Sequence, residues 1–274
     1  MPGASELTPA VLQNKTAAVV LWVLSAFLAV AFALELVSFF QPMRFDAQLD
    51  SALIVLAAAA TLTALWRRLP LQNVGLAAGG IALVSGAFSA LGVRTGLPFG
   101  AFVYGSASGP LMFKTVPWAI PLLWMFIVLN SRGMARLMLR PWRKNKNYGY
   151  RVIGLAAVLV LLFAVALEPF AFRVKQLWLW LPTALPLTWQ GVPIINFVAW
   201  GFITCLILFF ISPALIVKKP RSKTGPELHP FCLWLGGIAL FAAGCAARGL
   251  WAATIVDAVI GIAAGIFAVR GAMW

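Results

Sequence analysis

The sequence predicts an all-α fold, a polytopic integral membrane helical bundle of about eight transmembrane helices with irregular segments on its outer side. Of its 274 residues, 62% are hydrophobic and only 10% are charged, and the mean hydropathy is +0.95. These values exclude a soluble globular domain. The apolar residues also fall in runs that are long enough, or nearly so, to cross about 30 Å of hydrocarbon. We therefore expect residues 1–274 to form a single transmembrane domain.

The first predicted helix follows a polar segment, residues 1–16, whose only cation is Lys15. Its apolar run is about twice the length of a signal-peptide core, so we expect the chain to retain it as a helix. The predicted helices cover residues 17–40, 51–69, 73–93, 115–138, 151–172, 192–217, 230–247 and 249–270.

Glycines weaken the helical pattern of the third and seventh runs, at Gly79, Gly80, Gly236, Gly237 and Gly244. Two glycine pairs have the small-xxx-small spacing that allows close helix approach. These pairs are Gly75 with Gly79 and Gly261 with Gly265.

The charges predict a topology. The net charge of +14 comes from 21 basic against 7 acidic residues, and the basic residues form short clusters between apolar runs. This distribution is typical of membrane proteins and argues against nucleic acid as a partner; the lipid bilayer is the expected one. With a cytoplasmic N-terminus, the basic residues left outside are Arg44, Arg94, Lys114, Arg173, Lys175 and Arg248. The excess of cations inside predicts a bacterial inner membrane protein with both termini cytoplasmic.

Three carboxyls then lie in the outer half of predicted helices: Glu35, Glu168 and Asp257. Carboxyls within apolar spans are costly and mark functional sites or ion pairs. Two interpretations stay open for the first two. They form part of a site, or they lie at the interface and pair with Arg44 and Arg173 respectively.

Two segments cannot be ordinary membrane helices, residues 94–124 and 168–200. Pro98 and Pro110 remove backbone donors from the first, and several glycines favour other dihedrals in it. The second contains Pro182, Pro186 and Pro193 among closely spaced tryptophans. Irregular backbone at membrane depth survives only against protein or a water-filled cavity. We therefore expect the two segments to fold together as an aromatic cleft.

Other functional classes have weaker support. A membrane prenyltransferase needs two aspartate-rich motifs to hold Mg²⁺ against diphosphate, and only Asp46 and Asp50 have a suggestive spacing. A secondary transporter would show inverted repeats and helices broken at mid-membrane, whereas the breaks here lie at one face. The cysteines Cys205, Cys232 and Cys245 lie inside apolar runs without paired spacing, so we expect small buried side chains and neither disulfides nor a metal site.

A multi-part motif also resembles a known family. Its first part is Gly92, Arg94-Thr95-Gly96-Leu97-Pro98-Phe99-Gly100, Tyr104, Gly109-Pro110, Val116-Pro117, Ile120-Pro121-Leu122 and Trp124. Its second part is Glu168-Pro169, Trp178, Trp180, Gly191-Val192-Pro193, Asn196-Phe197 and Trp200. Over residues 85–205 the chain resembles the CruF-type carotenoid biosynthesis family, membrane carotenoid 1',2'-hydratases that add water to the terminal double bond of an acyclic ψ-end.

The chain departs from this family pattern at three places. Family members carry a glutamate shortly before the Arg-Thr-Gly-like motif, where this chain has Phe88, Ser89 and Ala90. They carry a Trp-Asp pair where it has Phe163 and Ala164, and an aspartate in the acid-Pro pair where it has Glu168. An alternative function is therefore a non-catalytic membrane protein that binds a carotenoid or isoprenoid and has lost the catalytic carboxylates.

The reaction that the resemblance implies needs an acid, a stabilised tertiary cation and a positioned water. A carboxyl in an apolar site can remain protonated, and aromatic faces stabilise cations. Our hypothesis assigns the acid to Asp257 or Glu168, with Glu35 as a further carboxyl, and the water to Tyr104 and Asn196. The expected contacts to a carotenoid or other long isoprenoid are Arg94, Phe99, Trp124, Trp178, Trp180 and Trp200. The reaction requires no cofactor and no metal.

Overall fold

The computed structural model describes residues 9–41, 46–182, 187–216 and 225–274. All eight predicted helices are present, and the predicted all-α membrane bundle is confirmed. They are α1 (Pro9–Ser38), α2 (Asp46–Trp66), α3 (Leu71–Thr95), α4 (Ala119–Met138), α5 (Tyr148–Pro169), α6 (Ile194–Ile211), α7 (His229–Ala247) and α8 (Trp251–Ala272). A π-helical turn, Phe170–Val174, extends α5, and a 3₁₀ turn, Ser212–Leu215, extends α6.

Helix α4 differs from the other helices in composition and in position. The other seven are long and apolar enough to cross a membrane, which makes the chain an integral membrane protein. Helix α4 packs against α2, α3, α5, α7 and α8, and it carries buried polar side chains at Asn130, Ser131 and Arg132. Because neighbouring helices surround α4, protein groups can satisfy polar atoms that lipid could not.

Hydrogen bonds from these polar residues connect α4 to three other parts of the bundle. The Asn130 amide donates to the Thr61 hydroxyl of α2 at 2.8 Å, and the Trp234 indole of α7 donates to the Ser131 hydroxyl at 3.0 Å. The Arg132 guanidinium donates to the Leu215 carbonyl after α6 at 3.2 Å. Side-chain bonds between membrane helices fix which faces meet, so they hold the central helix in one orientation.

The two irregular segments contain short antiparallel strand pairs. These strands are β1 (Phe102–Tyr104), β2 (Leu111–Met112), β3 (Val116–Pro117), β4 (Trp178–Trp180), β5 (Thr188–Trp189) and β6 (Val192–Pro193). Strands β2 and β3 pair within the α3–α4 connection, and β5 and β6 pair within the α5–α6 connection. Strand β1 pairs with β4, with Val103 opposite Leu179. The β1–β4 pair therefore joins the two connections at one end of the bundle.

Helix α7 is continuous despite its glycines. Two of these glycines make room for aromatic rings. A Cβ at Gly237 would lie 2.8 Å from the Phe163 ring, and one at Gly244 would lie 2.6 Å from the Phe170 ring. The small-xxx-small spacing at Gly75 and Gly79 allows close approach, but no neighbouring group of the described residues outside their own helix backbone lies within 4 Å of a Cβ built at either position. The other glycine pair faces α7, where a Cβ at Gly261 would lie 3.3 Å from the Ile238 side chain.

We expect Gly244→Ala to destabilise the protein and Gly236→Ala, on the same helix, to leave it unchanged or slightly more stable. The Gly244 methyl would overlap Phe170, and overpacking typically costs about 1–3 kcal/mol. Among the described residues, no group outside the backbone of α7 lies within 4 Å of a Cβ at Gly236, and alanine favours a helix over glycine by about 1 kcal/mol. Thermal unfolding of both variants in one detergent measures the difference, and equal melting temperatures would contradict the close packing of α7.

The cysteines are all free, but the expectation that all three are buried is wrong. Cys245 is buried, Cys205 is partly buried and Cys232 is exposed. Cys232 belongs to the first turn of α7, and apolar runs do not reveal which face of a membrane helix meets lipid.

Candidate active site

The Glu168 carboxyl lies at the end of α5 and is buried, with 1% of the residue exposed. One of its oxygens accepts hydrogen bonds from the indole N–H groups of Trp178 at 2.8 Å and Trp180 at 3.1 Å. The other accepts a bond from the Asn196 side-chain amide at 2.7 Å. Both oxygens therefore have donors, which is what a buried carboxyl requires.

Local backbone geometry brings these donors to one point. Alternate side chains of a strand point to the same face, so Trp178 and Trp180 of β4 both reach Glu168 while Leu179 between them is exposed. Asn196 is in the first turn of α6, directly after β6. The π-helical turn after Glu168 reverses the chain so that β4 returns over the end of α5.

The alternative prediction of a Glu168–Arg173 ion pair is wrong. Arg173 donates instead to the Gln190 carbonyl, from Nε at 3.3 Å and from Nη2 at 3.2 Å. Its guanidinium also lies 4.8 Å from the centre of the Phe172 ring. Arg173 therefore holds the β5–β6 turn, and Glu168 forms no salt bridge with any described residue.

The Glu168 carboxyl faces a mostly aromatic pocket with an empty volume of about 390 Å³. We call it the Glu168 pocket. Its lining residues are Ser89, Phe99, Phe102, Tyr104, Ile120, Leu123, Trp124, Glu168, Trp178, Trp180, Asn196 and Trp200. The two irregular segments supply most of them, and Ser89 comes from α3.

The aromatic rings of the pocket are in mutual contact. Trp124 of α4 and Trp200 of α6 are stacked, with ring centres 4.0 Å apart and planes 11° from parallel. The Phe102 ring lies 5.3 Å from that of Trp180 and packs edge-to-face on Tyr104. Such contacts add to the burial energy of each ring, so they fix the wall that faces the carboxyl.

Tyr104 places a hydroxyl in this aromatic wall. Burial raises the pKa of Tyr104, and a side-chain hydrogen bond with Ser89 offsets only part of that effect. The phenol therefore remains protonated at neutral pH and can donate one hydrogen bond and accept others. Together with Asn196 and Ser89, it places neutral polar groups in the pocket beside one carboxyl.

Comparison with known proteins identifies the family of this chain. A family profile described as carotenoid biosynthesis protein matches residues 49–266. The chain belongs to this family. It is also 29% identical over 177 residues to the bisanhydrobacterioruberin hydratase of Haloarcula japonica, a match that covers 62% of this chain and 57% of that protein. The chain thus matches little more than half the length of this relative. No solved structure matches it significantly.

The Glu168 pocket of this carotenoid biosynthesis protein contains most of the residues predicted from the sequence. The predicted residues that line it are Glu168, Tyr104, Asn196, Phe99, Trp124, Trp178, Trp180 and Trp200. Arg94 does not line it, because it lies in the last turn of α3 with an exposed side chain. Among the lining residues that were not predicted, Phe102 lies two positions before Tyr104, so the alternation of a strand could have revealed it.

Glu35 of this carotenoid biosynthesis protein belongs to an ion cluster away from the pocket. It is fully buried and forms a salt bridge with the ammonium of Lys175. The same ammonium lies 2.9 Å from a carboxylate oxygen of Asp50 and 5.5 Å from the centre of the Phe39 ring. Arg44, the partner predicted for Glu35, lies outside the described residues.

Lys175 is the centre of this ion cluster. Burial alone lowers the pKa of Lys175, but Asp50 and Glu35 outweigh it and hold that pKa above its usual value. Because Lys175 directly follows the π-helical turn after Glu168, the cluster connects α1 and α2 to the segment that forms the pocket. The side chain of Asp46, which the sequence paired with Asp50, is not among those described.

Asp257 also lies outside the Glu168 pocket. It is on α8, fully buried, and it lines a separate groove beside α7. Neither of its carboxylate oxygens accepts a hydrogen bond from the part of the chain that the structure describes. The three carboxyls that the sequence grouped in one leaflet are therefore in three different environments.

Proposed function

We propose that this protein hydrates the terminal double bond of an acyclic carotenoid ψ-end. The observation that carries the proposal is the buried Glu168 carboxyl, which receives three hydrogen bonds and faces aromatic rings. Membership of the carotenoid biosynthesis family supports the substrate class, and the hydratase name of the relative supports the reaction.

In the first step, Glu168 transfers its proton to the less substituted carbon of the double bond. The π electrons form the new C–H bond and leave a tertiary cation on the neighbouring carbon. The N–H donors of Trp178, Trp180 and Asn196 stabilise the carboxylate that results, because hydrogen bonds to a charged form favour it. Glu168 thus acts as a general acid.

In the second step, a water held by Tyr104 and Asn196 adds to the cation through its oxygen. The oxonium that forms returns a proton to Glu168, which restores the acid. One water is added overall and nothing is oxidised or reduced. The aromatic rings stabilise the cation between the steps through their negative faces. The stacked pair Trp124 and Trp200 supplies one such face.

We expect Trp124→Leu to lower turnover by about 30-fold, because a desolvated cation–π contact contributes about 2 kcal/mol. Trp124→Phe retains an aromatic face and is expected to keep most of the activity. Product formed per mole of purified protein measures both. Equal losses in the two variants would indicate that Trp124 acts by filling space and not by stabilising a cation.

A second function has one observation in its favour. Ser89 lines the pocket and Ala164 is buried in regions where the family pattern has carboxylates, which suits a protein that binds a carotenoid without converting it. Expression in cells that accumulate lycopene or γ-carotene distinguishes the two. A product heavier by one water supports hydration, whereas unchanged pigment that co-purifies with the protein supports binding alone.

We further propose that this protein lies in the inner membrane, with both termini in the cytoplasm and the pocket in the outer leaflet. The α4–α5 connection, at the end of the bundle opposite the pocket, carries Arg140, Arg143, Lys144 and Lys146. Cytoplasmic connections are enriched in such cations.

A further inference from the structure

Helices α7 and α8 form a second, larger concavity, which we call the α7–α8 groove. Its empty volume is about 1100 Å³. The lining residues are Leu235, Ile238, Ala239, Ala242, Asp257, Ala258, Gly261, Ile262, Gly265, Ile266, Val269 and Arg270. Apart from Asp257 and Arg270 the lining is apolar, and none of these residues lines the Glu168 pocket.

Asp257 lies in this apolar groove without a hydrogen-bond partner. The residue is fully buried, and neither carboxylate oxygen is bonded within the described ranges. The Cys245 thiol of α7 is near enough for an electrostatic interaction but does not supply a hydrogen bond. A buried polar group left unpaired costs about 1–3 kcal/mol, and more when charged. A partner from outside the chain would remove that cost.

The position of Asp257 restricts the chemistry of that partner. Asp257 is six residues into α8, about 9 Å from its start, so a charged lipid head group would have to leave the interface to reach it. A hydroxyl on an apolar chain has no such difficulty. Because a hydroxyl both donates and accepts, it pairs with the carboxyl in either protonation state.

The length of the groove suits an extended chain. From Asp257 to Arg270 the helix rises about 20 Å, and the side chains between them that line the groove are apolar or glycine. A second copy of this protein packed symmetrically on the same surface would bring two unpaired carboxyls together, which is unfavourable for like charges. The groove therefore fits a ligand better than a self-association surface.

We propose that the α7–α8 groove binds a long-chain apolar alcohol, with its hydroxyl on Asp257 and its chain extending toward Arg270. This site is separate from the proposed hydration site. Its test can use ligands without a terminal double bond, so it succeeds or fails independently of the proposed reaction.

Phytol and phyt-2-ene are suitable probes, because they share one branched skeleton and one double bond and only phytol has a hydroxyl. The melting temperature of the purified protein is measured in one detergent while each probe is titrated, since a ligand of the folded state raises it. Phytol is expected to raise it with half-saturation at a concentration at least about tenfold below that of phyt-2-ene, because its hydroxyl adds a hydrogen bond to a carboxyl. Equal half-saturation by the two probes would overturn the proposal.

Three variants test whether phytol raises the melting temperature by binding in the α7–α8 groove. Ala239→Phe fills the groove at an exposed position and is expected to abolish the phytol effect. Val259→Phe makes a similar change at an exposed position of α8 that does not line the groove, and it is expected to retain the effect. Asp257→Leu is expected to remove the preference for phytol and to raise the melting temperature without ligand, because it removes an unpaired carboxyl.

Two results would contradict the assignment even if phytol binds. A phytol preference that survives in Asp257→Leu would place the hydroxyl elsewhere. A wild-type dimer that becomes a monomer in Ala239→Phe, measured by light scattering in the same detergent, would assign the groove to a second copy of the chain.

Discussion

Glu168→Gln is expected to abolish carotenoid hydration and to leave the protein folded. Glutamine has nearly the same shape and can still accept hydrogen bonds from Trp178 and Trp180, but its amide cannot supply the proton. Loss of a general acid typically lowers the rate by about 10²–10⁴-fold. Pigments extracted from lycopene-accumulating cells and analysed by mass spectrometry measure the effect, with product normalised to the amount of purified protein.

Glu227→Gln is the matched control for this experiment. Glu227 is partly exposed and forms a salt bridge of 2.9 Å with Arg68, so it undergoes the same chemical change away from the pocket. Exposed pairs contribute little to stability, and we expect full activity. If Glu168→Gln instead retains activity, Glu168 is not the acid, and Asp257→Asn tests the other carboxyl that the sequence proposed.

Lys175→Met is expected to be the most destabilising single change outside the Glu168 pocket. Methionine has a similar length but no charge, so the buried Glu35 and the partly buried Asp50 would lose the cation that they share. Removing one partner of a buried ion pair typically costs about 3–5 kcal/mol. Thermal or denaturant unfolding in detergent measures the loss, and we expect hydration to fall with the folded fraction.

Two further variants separate the ion cluster from general effects of charge. Arg173→Met removes a neighbouring cation whose bonds are exposed and go to a backbone carbonyl, so it is expected to cost far less. Adding Glu35→Gln to Lys175→Met is expected to recover part of the stability, because one buried charge then disappears. A Lys175→Met variant as stable as Arg173→Met would show that the cluster contributes little.

The helices could be predicted from the sequence because the hydrocarbon thickness sets the length of each apolar run. Helix α4 was predicted on the same grounds, although its central position could not be, since burial by protein and burial by lipid select similar residues. The spacing of Trp178 and Trp180 indicated an aromatic wall. That their N–H groups converge on Glu168 depends on the π-helical turn, which has no sequence signature.

The separation of the three carboxyls could not be predicted from the sequence. Counting from helix ends gives depth in the membrane but not the direction in which a side chain points, so Asp257 and Glu168 both stayed candidate acids, with Glu35 as a further carboxyl. The partner of Glu35 was sought nearby in the chain at Arg44, whereas Lys175 comes from a different helix end. Such pairs depend on which helices are neighbours, and a single sequence does not contain that information.

The stacking of Trp124 on Trp200 has a consequence for ligand shape. Two indoles with centres 4.0 Å apart are already in van der Waals contact, so no chain can be inserted between them. Stacked in this way, they present the flat face of one indole and not a slot. An extended all-trans chain can lie against that face, whereas a cis-bent chain touches it only in part. We therefore expect the pocket to bind the all-trans isomer of a carotenoid in preference to its cis isomers before any bond forms.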